Sequence, residues 1–66
     1  MHIQLNRDEA ELLRDTLQHR IEELDKEINR TDSLEFKREL QRTDRAMERI
    51  LGAITAALEQ ESPAEI

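Results

Sequence analysis

The stretch NRTDSLEF, residues 29–36, decides how this chain folds. On both sides of it apolar residues recur at the 3.6-residue period of an α-helix, and within it that period breaks. Asn29, Thr31, Asp32 and Ser33 carry short polar side chains that bond nearby backbone groups more readily outside a helix than inside one. Asp32, followed three positions later by Glu35, forms a possible capping box for a new helix, and Ser33 is a rival cap one residue on. A connection this short returns the second helix alongside the first. The expected fold is all-α: a two-helix antiparallel hairpin in one domain, 1–66.

Upstream of the turn, Asn6 with Glu9 reads as a capping box, with Leu5 and Ala10 at the staple positions around it. Ala10, Leu13, Leu17, Ile21, Leu24 and Ile28 then mark one apolar stripe, which predicts a first helix over about 7–30. Downstream, Phe36, Leu40, Thr43, Met47, Ile50, Ile54 and Leu58 predict a second over about 33–60. The acidic end ESPAEI, 61–66, holds the single proline and is expected to fray. Folding about the turn sets Ile28 against Phe36, Leu24 against Leu40, Leu17 against Met47, and Leu13 against Ile50 or Leu51. The lead-in HIQL lays Ile3 and Leu5 over the region of Leu58.

Composition narrows the function classes. With no cysteine among 66 residues there is neither a disulfide framework nor a thiolate metal site, which fits cytoplasmic residence. The start MHIQLNRDEAELL lacks the basic, apolar and small-residue regions of a signal peptide. No apolar run approaches the ~20 residues that span a bilayer. A net charge of −6 opposes nucleic acid and anionic lipid at long range.

The window ILGAITAAL, 50–58, contains no charge in a chain that is 39% charged. Projected at 100° per residue, the first helix shows an apolar arc of roughly 80°, enough for one neighbour, whereas the second shows roughly 160°. One partner helix cannot cover that width. The apolar burial of a lone hairpin also falls short of the entropy lost on ordering it. The expectation is a homodimer, a four-helix bundle joined through Ala46, Ile50, Ala53, Ile54, Ala57 and Leu58; a different protein docking on the same face is a variant. Gly52 and Ala56 have the small-xxx-small spacing of membrane helix pairs, but no membrane span surrounds them. Gly52 projects away from the main stripe, where it either weakens the helix or admits another helix closely.

Charge forms stripes too. Arg38, Arg42, Arg45 and Arg49 run beside the apolar arc of the second helix. Asp8, Glu11, Asp15 and Glu22 lie on the outer face of the first, with Glu9, Glu23 and Glu27 nearer the seam. Such stripes are ordinarily solvated faces laced with weak ion pairs. The alternative is a nucleic-acid-binding regulator whose arginines track phosphates. Against it stand the overall acidity and the assignment of the single aromatic, Phe36, to the core, which leaves no stacking platform for bases.

No chemistry-bearing constellation emerges. His19 and Glu23 are one turn apart, but two ligands do not make a metal site, and neither HExxH nor an EF-hand is present. His19 lies near Leu12 and Thr16, a small patch open to a partner. The sequence contains no nucleophile elbow, phosphate loop or Cys/His pair, and nothing evident raises the pKa of a carboxylate on a solvated helix. The expectation is no enzyme, no cofactor and no metal.

The segments LNRDEAELLRDTL and EINRTDSLEFKREL resemble a family of short bacterial helical-hairpin proteins of unknown function. Its E-A-x-x-L-R start falls on Glu9, Ala10, Leu13 and Arg14. Its T-D-S turn falls on Thr31, Asp32 and Ser33, and its F-[KR]-x-x-L on Phe36, Lys37 and Leu40. The resemblance covers the first two-thirds of the chain and implies a bacterial hairpin with no established activity. In length and mid-chain turn the chain is also similar in architecture to the Rop-type plasmid regulators, which dimerise into four-helix bundles and bind RNA. That likeness is one of fold, which does not confer function. IEELDKEI shares E-L-D with the S-Q-E-L-D signature of a family of short hairpin phosphatases. It lacks the Ser and Gln and lies in the first helix rather than the second, so no phosphatase activity follows.

Overall fold

In the computed structural model, residues 2–60 and 64–65 are described. Asn6 ends the lead-in and starts α1, Arg7–Arg30. Its side-chain oxygen accepts the Glu9 backbone N–H at 2.8 Å, and Glu9 Oε1 accepts the Asn6 N–H at 3.0 Å. Two amide donors that the first helical turn leaves open are thereby satisfied. At the other end Thr31 turns extended, φ −86° and ψ 130°, and the helix stops.

α2 runs Leu34–Glu59, antiparallel to α1. Of the two rival caps, Ser33 is the one used: its hydroxyl oxygen accepts the Phe36 N–H at 3.3 Å. Asp32 stands one residue outside the helix, so the Asp32–Glu35 box does not form. The third helical position belongs to Phe36, which has no side-chain acceptor to return the bond. Glu35 falls in the first turn, where its charge favours the positive end of the helix dipole.

Of the acidic end expected to fray, 61–66, residues 61–63 and 66 lie outside the described residues. Ala64–Glu65 forms a two-residue strand, β2, paired antiparallel with β1, Gln4–Leu5, so that Leu5 faces Ala64 and Gln4 faces Glu65. This short ladder closes the open end of the hairpin. Leu5 packs against Ala10, Ile54 and Leu58 as the lead-in reading anticipated, whereas Ile3 remains exposed.

The core sits toward that open end. Ala10 and Ile54 are wholly buried and gather with Leu58; Leu13, Leu17, Ala57 and Leu5 pack around them. Ile21 and Leu24 continue the seam toward the turn. The charge-free window of α2 lies near its C-terminal end, so antiparallel pairing brings it to the first turns of α1. Ala10 is the small residue that lets Ile54 and Leu58 approach there.

The turn end packs differently from the sequence pairing. Setting Leu24 beside Leu40 would place Asp25 near Glu39. Instead Asp25 meets Asp44, more than a helical turn further along α2. With that offset Phe36 overhangs the end of α1 and is 51% exposed, as Leu34 also is exposed. The assignment of Phe36 to the core is therefore corrected: the seam closes before reaching it.

The molecule is a slab of 42 × 21 × 14 Å with a radius of gyration of 13.8 Å. A compact chain of this length has a radius near 11 Å. The thinnest dimension is little more than the ~10–12 Å diameter of one helix. The two helices form a single layer, with the β1–β2 ladder packed against their open end.

Candidate interaction surface

The uncovered part of α2 is the flank beside the seam. Ile50 is 39% exposed there, Ala53 and Thr43 are exposed, and Ala46 and Ala57 are half-buried. Ile54 and Leu58, expected at the same interface, belong to the hairpin's own core and offer a partner little surface. The reason is angular: both project to the Leu51 half of the 160° arc, where α1 sits, while Ile50, Ala46, Ala53 and Ala57 project to the other half.

The two edges of this flank differ in charge. Beyond Ala53 on α2 lie Arg42 and Arg49, part of the stripe with Arg38 and Arg45, and all four are exposed. With Gln41 and Glu48 they border a shallow open cleft along the outer face of the helix. On the α1 side of the same flank, the projection sets Arg20, Glu23 and Glu27. Arg20 Nη1 reaches both carboxylates at 3.4 Å.

Ion pairing separates the helices. The ion pairs among the described residues lie within α1: Arg7–Glu11 at 3.3 Å, Arg14–Asp15 at 3.1 Å and Arg20 with its two glutamates, with His19 Nε2 also 2.7 Å from Glu23 Oε1. None of the four stripe arginines has a carboxylate within ion-pair distance among these residues. Solvated face describes the stripe; laced with ion pairs describes α1 instead. Exposed pairs of this kind are each worth only ~0.2–1 kcal/mol.

Gly52 faces open space: apart from its chain neighbours and its own helix backbone, no atom of the described residues lies within 4 Å of where a Cβ would stand. The hairpin itself therefore gives glycine no packing role. Gly52→Ala is expected to raise the unfolding free energy of the hairpin by ~0.5–1 kcal/mol, measured by urea denaturation at low concentration. A loss of stability instead would place a neighbour against this position.

His19 and Glu23, both well exposed, bond each other, and no third His, Asp or Glu joins them: the described residues hold no group of three that could bind a metal. Leu12, beside His19, is 69% exposed.

One carboxylate breaks the expectation that nothing raises an acid's pKa. The Asp44 carboxyl is pushed up from 3.8 to about 6. The chief cause is a hydrogen bond with Asp25 across the seam. Partial burial follows, then the negative charges of Asp25 and Glu48. Asp44 Oδ1 is shut away from solvent and has no donor among the described residues. The sequence carried a signal for this: Asp44 projects next to Leu40 and Leu51, at the edge of the apolar arc rather than on the polar face.

Among the described residues no helix is long and apolar enough to cross a membrane. Compared with known proteins, the chain matches no protein family, no curated protein and no solved structure, so the likeness to short bacterial hairpins stands at the level of a small two-helix fold.

Proposed function

We propose that this chain is a non-catalytic interaction module that pairs with a second copy of itself through the open flank of α2, giving a four-helix bundle. The observation that carries the reading is an excess of surface. The hairpin exposes 5263 Å². A folded monomer of 7.8 kDa is expected to expose about 4,400 Å². The difference, about 900 Å², is close to the ~800 Å² that each partner contributes to a standard interface.

A second copy also suits the charges. One edge of the flank carries Arg42 and Arg49, without acid partners among the described residues, and the other carries Glu23 and Glu27. A two-fold axis running along the helices sets each edge over its opposite, which favours the like partner over a random acidic or basic one. The bundle buries Ile50, Ala46, Ala53 and Ala57, while Ile54 and Leu58 support them from beneath.

Sedimentation equilibrium at micromolar to millimolar concentration tests this. The expected mass is twice 7.8 kDa at the upper end, with a melting temperature that climbs with concentration. A monomer throughout, melting at one temperature, refutes it. The unpaired guanidiniums support a second reading, in which the stripe Arg38, Arg42, Arg45 and Arg49 tracks a phosphate backbone. Phe36 is exposed enough to stack, but it projects to the face away from these arginines. A gel shift at low salt that shows no retarded nucleic acid removes this reading.

A further inference from the structure

Two acids facing each other across a helix seam, with one oxygen closed off from water, form an arrangement that a purely structural contact would avoid. Asp44 Oδ1 is buried and finds no N–H or O–H donor among the described residues. The group that meets it from α1 is Asp25, another carboxylate. From α2 itself Glu48, one turn on, adds a third negative charge. No Lys, Arg or His among the described residues forms an ion pair with any of the three. Two carboxylate oxygens are both acceptors, so they hold each other only when one of the pair carries a proton.

We propose that Asp25 and Asp44 form a proton-operated latch across the α1–α2 seam. With one proton between them, the O–H of one carboxyl donates to the carboxylate oxygen of the other and ties the helices together in the half nearer the turn. When that proton leaves for solvent, the bond is lost and two like charges face each other in a partly closed site. The latch acts within a single hairpin. It lies on the side of the seam opposite Ile50 and does not depend on pairing with a second copy.

The raised pKa of Asp44 supports the geometry and fixes the direction. In the folded chain this group holds its proton up to about pH 6, whereas in the unfolded chain it releases it near 3.8. Between those values the folded state binds more protons than the unfolded one, so stability falls as pH rises through the window. The contribution is greatest below 3.8 and is gone above about 6. The hairpin therefore tightens in acid and slackens toward neutral pH, the reverse of an acid held in a salt bridge.

The test is a carboxyl ¹³C titration of the whole chain, joined to urea unfolding at pH 5 and pH 7.5 for the wild type and Asp44→Asn. The expected inflection for Asp44 lies near 6. The wild-type folding equilibrium constant should gain several-fold to about tenfold on going from pH 7.5 to 5. Asp44→Asn should lose that gain, because its amide donates to Asp25 at either pH. The difference between the two proteins cancels the histidines and the remaining carboxylates, which both share. Should Asp44→Asn fail to fold, Asp25→Asn replaces it: its amide gives Oδ1 a permanent donor, so the Asp44 inflection should drop toward 3.8. An Asp44 inflection near 3.8 in the wild type, or an equal pH gain in wild type and variant, overturns the latch.

Discussion

Ile54→Ala should leave most of the chain unfolded at room temperature. Ile54 is wholly buried, packs with Ala10 and Leu58, and is ringed by Leu13, Leu17 and Ala57. Removing a side chain of that size from a closed site costs ~2–5 kcal/mol, the transfer term plus the cavity it leaves. A core this small rarely supplies more than ~3–5 kcal/mol in total. The loss is therefore comparable to all the stability available. Far-ultraviolet circular dichroism at 222 nm, followed through a urea titration, reads it directly. Leu12→Ala is the matching control, since Leu12 is 69% exposed and its truncation should cost under ~0.5 kcal/mol. Equal effects at the two positions would mean that the seam does not run where the structure has it.

Ile50→Glu should do the opposite: spare the hairpin and abolish the pair. Ile50 is 39% exposed in the single hairpin, so a glutamate there can remain in water at little cost to folding. In the bundle the same position is enclosed by a second copy, where a carboxylate without a partner costs several kcal/mol. Dissociation should therefore strengthen by at least about a hundredfold while the helical signal of the monomer is unchanged. Mass by light scattering and ellipticity, taken on the same sample, separate the two effects. A variant that still pairs as the wild type does places the interface elsewhere; a variant that loses its helices shows that Ile50 holds the hairpin together.

The outline of the fold was legible because its signals are local. A capping box at Asn6 and Glu9 and the break at 29–36 fix both helices within a residue or so. The choice between Asp32 and Ser33 was not, since either side chain can cap and one residue of backbone geometry decides. Register was the larger miss. Stripes with a helical period look alike after a shift of one turn, and the sequence does not say which turn of α1 receives Ile54. The departure shows near the turn, where Asp25 meets Asp44 and Phe36 is left exposed. The β1–β2 ladder was missed because two residues give no pattern to read. The width of the α2 arc is visible in sequence, but which portion α1 covers depends on orientation. That is why Ile54 and Leu58 moved inward while Ile50 and Ala53 stayed out. The facing of Asp25 and Asp44 depends on the same offset and could not precede it.

A molecule only 14 Å through has no depth. Whatever settles on one broad side meets side chains such as Ile50 and Ala53, which stand beside those that hold the two rods together, so recognition and cohesion sit on neighbouring columns of one helix. Variation in the outer column can retune the grip on a companion while the inner column keeps the chain's own melting point, and a map of tolerated substitutions should show the two properties changing at different positions.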